Sequence, residues 1–368
     1  MLHLLDKNIK SNFVDIGTGL RVHYLECNYT NKKDAPVALL LHGFPEISFS
    51  WRKIFPLLSK EGFRVIAIDQ RGYGKTIGGS KKYEDDIREY NLINLVSDLV
   101  YFLKKMSINN IDLLVGHDAG SIVAGAATLL RPDLFKSLVM MSAPFTGPLK
   151  PELLNKNKID IHSQLKELNP PRKHYQWYYS TKKANDDMHL SSKEKLAYFL
   201  RSYFHVKSAD WKNNEPFELS SWTGKELEKL PEYYIMKLED TMVESVTKFF
   251  PQKTNCNWLN DDELDVYTNT FFENGFQSAL NWYRCMTSEN QNKELNVFQG
   301  KLINNFTLYI SGEKDWGMYQ KPGALNEMKN LCKNFKGIKI IKNAGHWVQQ
   351  EKPEDVAKAI LNFYSSFA

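Results

Sequence analysis

The sequence predicts an α/β protein in which a mostly parallel sheet, flanked by helices, is interrupted by a long helical insertion. Two observations carry that reading. Short, uninterrupted apolar runs alternate with helical patterns over the first 146 residues, stop, and resume after residue 300. The stretch between them loses those runs and takes up most of the excess of aromatic residues, which stand at 13% of the chain.

Val37–Leu41 is a continuous apolar run, as expected of a strand covered on both faces. Val65–Ile68, Ile111–Val115 and Ser137–Met141 repeat the signal. Helical patterns lie between them, around Trp51–Leu58, Asn91–Lys105 and Ser121–Leu130. Strands alternating with helices argue for βαβ units and a parallel sheet. Residues 1–146 and 300–368 are therefore assigned to one core, and 147–299 to an inserted helical cap. The cap carries the aromatic clusters Tyr175-Gln176-Trp177-Tyr178-Tyr179, Tyr198-Phe199, Tyr233-Tyr234 and Trp282-Tyr283. After it, Phe306–Ile310 and Lys339–Ile341 read as two more strands. Glu354–Phe363 reads as a last helix, with Pro353 suited to its first position.

Composition narrows the function classes. A chain of 368 residues has room for a large domain plus an insertion. The net charge of +5 is spread over Lys residues interleaved with Asp and Glu. Lys32-Lys33, Lys81-Lys82 and Lys182-Lys183 form no stripe, which argues against a nucleic-acid partner. The four cysteines, at 27, 256, 285 and 332, show no CxxC spacing. No metal site, redox motif or disulfide framework is expected from them. Met1–Asp6 lacks a sustained apolar run, and nowhere do about 18 apolar residues follow one another, so neither a signal peptide nor a membrane span is expected. The C-terminal Ser-Ser-Phe-Ala is not a peroxisomal address, and the expected compartment is the cytoplasm.

Gly116-His117-Asp118-Ala119-Gly120 follows a strand and opens a helix. It has the G-x-nucleophile-x-G shape of the elbow on which the α/β-hydrolase fold exposes its nucleophile. The flanking glycines permit a tight turn, and the helix N-terminus favours an anion there. The middle residue is usually Ser; here it is Asp118. A Ser attacking a saturated carbon would leave an ether, which water does not readily cleave. A carboxylate leaves an ester, which water can open again to regenerate the acid. Asp118 therefore suits displacement at an sp³ carbon bearing a leaving oxygen or halide. Taken alone, the pentapeptide also admits Asp118 as a plain helix N-cap.

Ala344-Gly345-His346-Trp347-Val348 follows the last strand. The chain order nucleophile, acid, His is that of the same fold, so His346 is the candidate general base. Its task would be to activate water against the ester, since Asp118 needs no deprotonation. Asp315, in Gly312-Glu313-Lys314-Asp315-Trp316, is placed to orient the imidazole and stabilise imidazolium, with Glu313 as the competitor. His42-Gly43-Phe44-Pro45 follows strand 37–41, where the fold takes one oxyanion-hole donor. The backbone N–H groups of Phe44 and Ala119 are the expected pair. His42 is expected to brace its loop. Asp69-Gln70-Arg71-Gly72-Tyr73-Gly74 is read as structural, a strand exit held by an Asp/Arg turn.

The segments HGFPE (42–46), DQRGYG (69–74), GHDAG (116–120), GEKDW (312–316) and GHW (345–347) together resemble the epoxide hydrolases of the α/β-hydrolase fold. The likeness runs over nearly the whole chain, cap included. It implies that Tyr175, in Tyr175-Gln176-Trp177-Tyr178, and Tyr283, in Asn281-Trp282-Tyr283-Arg284, are the ring-opening tyrosines. The chemistry agrees. Opening an epoxide creates an alkoxide, and a phenol with a pKa of about 10 stays protonated at neutral pH yet donates well. Trp177 and Trp282 are expected to wall the substrate pocket, and Tyr178 and Tyr179 to serve packing. Many relatives carry Trp where this chain has Ala119. The backbone donor survives that change, while the space beside Asp118 should grow. In the dehalogenases of the same core that Trp binds halide, so its absence counts against dehalogenation.

The expected function is hydrolysis of an epoxide to a vicinal diol, with water and a small-molecule epoxide as partners and no cofactor or metal. The alternatives are haloalkane or haloacid dehalogenation on the same core, and a non-enzymatic ligand sensor, which would have no need of Asp118, Asp315 and His346 together. A homodimer is the oligomeric form held open.

Overall fold

The computed structural model describes residues 2–30, 32, 34–148, 160–250 and 256–368. In chain order its strands are β1 (Lys10–Asp15), β2 (Arg21–Cys27), β3 (Val37–Leu41), β4 (Arg64–Ile68), β5 (Leu113–His117), β6 (Ser137–Met141), β7 (Arg172–His174), β8 (Ile235–Lys237), β9 (Ile303–Gly312) and β10 (Cys332–Ile341). Eight of them form one sheet in the order β1-β2-β4-β3-β5-β6-β9-β10. β2 runs antiparallel to β1 and β4, and every other neighbouring pair is parallel.

The central strands are apolar throughout because both faces are covered. Alternate side chains serve two different cores. Leu39, Leu41, Ile66, Ile68, Leu114, Leu138 and Met140 join one cluster, which continues into the inserted helices. Ala38, Leu40, Val65, Ala67, Leu113, Val115, Val139 and Met141 join the other, beneath the C-terminal helix.

The helices that matter here are α1 (Ile54–Lys60), α2 (Leu92–Lys105), α3 (Ala119–Leu130), α4 (Tyr175–Tyr179), α5 (Lys193–Lys207), α6 (Asp261–Asn274), α7 (Gln277–Thr287) and α8 (Pro353–Ser365). α2 starts at the Asn91 N-cap, whose side chain accepts from Asn94 N–H, and α8 starts at Pro353. The helix expected from Trp51 is two pieces, a 3₁₀ turn at Ser48–Trp51 and then α1.

Three strands differ from the expectation for one reason. β1, β2 and most of β10 are edge or near-edge strands, and β1 (KSNFVD) and β10 (CKNFKGIKII) are partly exposed. Such strands need no continuous apolar run, so β1 and β2 escape notice and β10 is seen only at its end. β5 lies two residues later than its apolar run, because Ile111 makes only an isolated bridge to Phe135. The insertion also holds a small antiparallel pair, β7 with β8, where helices alone were expected.

The DQRGYG turn needs a correction. Asp69 and Arg71 do not hold each other. Asp69 accepts from His23 Nδ1, Ser48 N–H and Lys75 N–H, while Arg71 forks onto Asp98 and reaches Glu89. Both are buried, and each finds its partners on a different element.

The parallel strands point their C-terminal ends to one edge of the sheet, the usual place for a site in such folds. The insertion leaves the sheet at that edge, after β6. It is tied down by Arg52 to Glu263 (2.7 Å), by Trp282 Nε1–H to Arg71 O (2.9 Å) and by Ala209 N–H to Glu351 (2.9 Å). No helix among the described residues is long and apolar enough to cross a membrane. All four cysteines are free thiols.

Candidate active site

Asp118 sits between β5 and α3 with φ 50° and ψ −122°, a strained conformation for a residue with a side chain. Close approach makes the neighbouring glycines necessary. A Cβ on Gly120 would stand 2.4 Å from His42 O, and one on Gly43 would stand 2.4 Å from the Asp118 Cβ. Asp118 occupies the N-cap position, but its side chain caps nothing. Its Oδ1 instead accepts from Phe44 N–H at 3.1 Å, across from the HGFP loop. Ala119 opens α3, where the first backbone N–H groups have no acceptor within the helix. His42 braces the loop as expected: its Nδ1–H donates to Gly43 O and its Nε2 accepts from Gln70 N–H.

His346 lies behind Asp118, with Nε2 3.6 Å from Asp118 Oδ2. That nitrogen is buried and makes no hydrogen bond among the described residues. On the other side of the ring, Nδ1 is 3.0 Å from Asp315 Oδ1 and 2.8 Å from Ser142 Oγ. A carboxylate beside Nδ1 requires the proton there, which leaves Nε2 as the lone-pair nitrogen. Asp315 also accepts from Gly317 N–H at 2.7 Å. Burial pushes its carboxyl up, but the imidazole and these donors outweigh burial and hold it well below the usual carboxylate range. His346 is pushed below its ordinary value by burial and by the Lys207 charge, against the pull of Asp315. Glu313, the competing acid, instead accepts from Asn343 N–H.

A second buried pair frames the first. His117 donates from Nδ1 to Glu46 Oε2 at 2.6 Å and from Nε2 to His346 O at 2.7 Å. Two acceptors require two ring N–H groups, so His117 is an imidazolium. Burial opposes that charge, but Glu46 prevails and holds it to about 9. Burial likewise opposes the Glu46 carboxylate, and His117 brings it down to about 2. Glu46 also accepts from Gln349 and Gln350, so one carboxylate joins the HGFPE loop, the elbow and the His346 loop.

Asp118, Ala119, Tyr175 and Tyr283 line a cavity of about 290 Å³. The rings of Tyr175 and Tyr283 lie 6.0 Å apart. Tyr175 Oη donates to Gln320 Oε1 at 3.0 Å and accepts from Gln176 Nε2 at 3.2 Å. The Tyr283 hydroxyl has no partner among the described residues. Burial, and then the Asp118 charge, push both phenols well above their ordinary 10. Both are therefore protonated donors at neutral pH.

The two tryptophans expected as walls do not line this cavity. Trp177 packs on His162 and His174, and the indole facing the cavity is Trp222. Trp282 donates to Arg71 O and borders a separate void of about 50 Å³. That void shares Ala119, Ile122 and Met286 with the main cavity, so the small residue at 119 borders both spaces. Tyr178 bonds Asp187, and Tyr179 is fully buried.

Sequence reasoning missed Glu46, His117, Ser142, Lys207 and Trp222. Glu46 and His117 stood inside quoted motifs, and an acid within HGFPE and a histidine beside the nucleophile were usable signals. Nothing local marks the other three. Among the described residues, no group of three or more His, Cys, Asp or Glu side chains is arranged to hold a metal ion.

A family model described as alpha/beta hydrolase fold matches residues 36–353. The chain is similar to epoxide hydrolase B of Mycobacterium tuberculosis, 30% identical over 355 residues that cover 94% of this chain and 95% of that protein. Its fold is similar to that of an epoxide hydrolase from an endophytic Streptomyces, with a TM-score of 0.79, 24% identity, and 98% and 96% of the two chains covered. It is also similar to a laboratory-evolved variant of potato epoxide hydrolase, with a TM-score of 0.75, 25% identity, and 98% and 100% covered.

Proposed function

Because the chain belongs to the epoxide hydrolases of the α/β-hydrolase fold, we propose that it converts an epoxide to a vicinal diol through a covalent ester on Asp118. The observation that carries the mechanism is the unpaired His346 Nε2, 3.6 Å from the Asp118 carboxylate that faces the two tyrosines.

Phe44 N–H holds Oδ1, so Oδ2 is the attacking oxygen. It forms a bond to one ring carbon, the ring C–O bond breaks, and the departing oxygen takes a proton from Tyr175 or Tyr283. Two phenols in a closed pocket share the charge developing on that oxygen. Water then attacks the ester carbonyl while His346 Nε2 takes its proton. Oδ1 becomes the oxyanion, already bonded to Phe44 N–H, with Ala119 N–H as the second donor. Collapse expels the diol, which recovers the proton from His346, and the remaining proton returns to the phenolate. Asp315 holds the imidazole tautomer and stabilises the imidazolium. The phenols favour a leaving oxygen over a leaving halide, since halide takes no proton.

We also read 147–299 as a cap over a core formed by 1–146 and 300–368. Residues 149–159 and 251–255 of that cap lie outside the described residues. Its role is to supply the phenols and close the site from above.

A single turnover in ¹⁸O-water tests the mechanism. The expected first diol carries only unlabelled oxygen, and the label appears on Asp118. Label in the first diol means that water attacked the epoxide directly and overturns it.

A further inference from the structure

Lys207 is the last residue of α5, and it is only 4% exposed. Its Nζ lies 4.7 Å from the Tyr234 ring centroid, 5.2 Å from Tyr203, 5.6 Å from Tyr233 and 5.9 Å from Trp347. Among the described residues it makes no ion pair. A carboxylate partner would cancel the field of the ammonium. Aromatic faces stabilise a cation through their quadrupoles and leave its net charge in place. The cage therefore presents an uncancelled positive charge inside the protein.

The cage adjoins the base. The Trp347 ring of the cage is 4.6 Å from the His346 ring, and His346 N–H donates to Lys207 O at 2.8 Å. The imidazole faces a conflict there. Asp315 at 3.0 Å favours imidazolium, and so does Asp118 at 3.6 Å until it is esterified, yet an imidazolium cannot take a proton from water. The groups around His346 come from every side. His117 and Asp118 face it from the elbow, Ser142 from the end of β6, Asp315 from the loop after β9 and Lys207 from α5. Glu46 acts through His117, and Glu351 through the backbone N–H groups of Gly345 and Trp347. Of these, the two cations oppose protonation, and His117 is matched by Glu46 at 2.6 Å.

We infer that Lys207 is a positioning residue acting by charge: its caged ammonium keeps His346 neutral, and so able to accept a proton from water, while the ester is opened. This rests on the reading of the site proposed above. The direction agrees with the environment, since after burial the Lys207 charge is the largest influence lowering His346. Burial pushes Lys207 itself down, while Asp118, Asp315 and Glu46 pull it back. The cation arrives on a helix of the insertion, so docking of α5 and competence of the base are coupled. The tether to His346 is a main-chain bond, so a side-chain substitution removes the charge and leaves the tether.

The test compares wild type, Lys207→Met and Lys207→Arg by kcat against pH with styrene oxide, together with the rate at which the preformed ester decays. The expected acid limb of Lys207→Met moves to higher pH. Below it, ester decay falls by on the order of tenfold relative to the variant's own alkaline plateau. Lys207→Arg keeps the wild-type limb. An unmoved limb in Lys207→Met overturns the inference, as does a uniform loss at all pH values, which is what lost packing would give. If Lys207→Met does not fold, ¹⁵N NMR of the lysine amines in the wild-type protein decides. Lys207 must be a charged ammonium at neutral pH, and a neutral amine overturns the proposal. Failure of the underlying reading looks different: the wild type would hydrolyse no epoxide at any pH.

Discussion

His346 Nε2 stands 3.6 Å from Asp118 Oδ2, too far for a hydrogen bond, so the imidazole's basic lone pair is left without a partner among the described residues. A base that bonded the nucleophile directly would be competing for it. Here the two residues are neighbours with separate tasks, and separate tasks can be uncoupled by mutation.

His346→Gln is expected to alkylate Asp118 and then stall. A general base contributes between about 10² and 10⁴, so ester hydrolysis should slow by on the order of a thousandfold. Intact mass after exposure to substrate should show the adduct. A variant with full steady-state turnover would remove His346 from the mechanism.

Tyr175→Phe and Tyr283→Phe should each slow alkylation and leave ester hydrolysis less affected. Donors to a developing oxyanion are worth on the order of a hundredfold, and a remaining partner softens each single loss. The double variant should lose far more than either single one. Burst kinetics measure alkylation directly, and a double variant with a normal burst would dismiss both tyrosines.

Ser142 adopts φ 68°, an unusual conformation for a serine, and places Oγ 2.8 Å from His346 Nδ1. Ser142→Ala keeps the backbone and deletes one hydrogen bond of about 1 kcal/mol, so ester decay should slow roughly fivefold. The measurement is single-turnover decay of the adduct. No change would mean that Asp315 alone orients the ring.

The Glu46–His117 pair carries a pH signature. His117 is raised from 6.5 to about 9, so its contribution to stability is complete below 6.5 and is lost as pH rises through 9. Glu46 is lowered from 4.5 to about 2, so its contribution is complete above 4.5 and is lost as pH falls through 2. The pair stabilises most between 4.5 and 6.5. Glu46→Gln should cost about 3 kcal/mol in that window, because it strands a buried cation. The gap from wild type should shrink on the alkaline side of 9. Urea denaturation over pH measures it, and a pH-independent gap would exclude the ion pair.

Much of this protein is written locally. The elbow GHDAG, the loop HGFP, and the order of Asp118, Asp315 and His346 are short-range patterns, and they mark the fold and the reacting groups. The central strands are legible because burial on both faces demands continuous apolar residues. The same logic fails at β1 and β10, where one partly exposed face relaxes the pattern.

What the tertiary structure decided is partnership across distance. Arg71 turns from its neighbour Asp69 to Asp98, and Trp222 replaces Trp177 and Trp282 on the cavity wall. Ser142 meets the His346 ring, Lys207 its backbone N–H and Glu46 the Gln349-Gln350 pair that follows, each from a separate segment. The physical reason lies in the range of the forces. Turn geometry and apolar periodicity act between near neighbours, so composition and spacing record them. The charge felt by a buried imidazole depends on which remote side chains pack around it, and that is settled only once the insertion docks on the sheet.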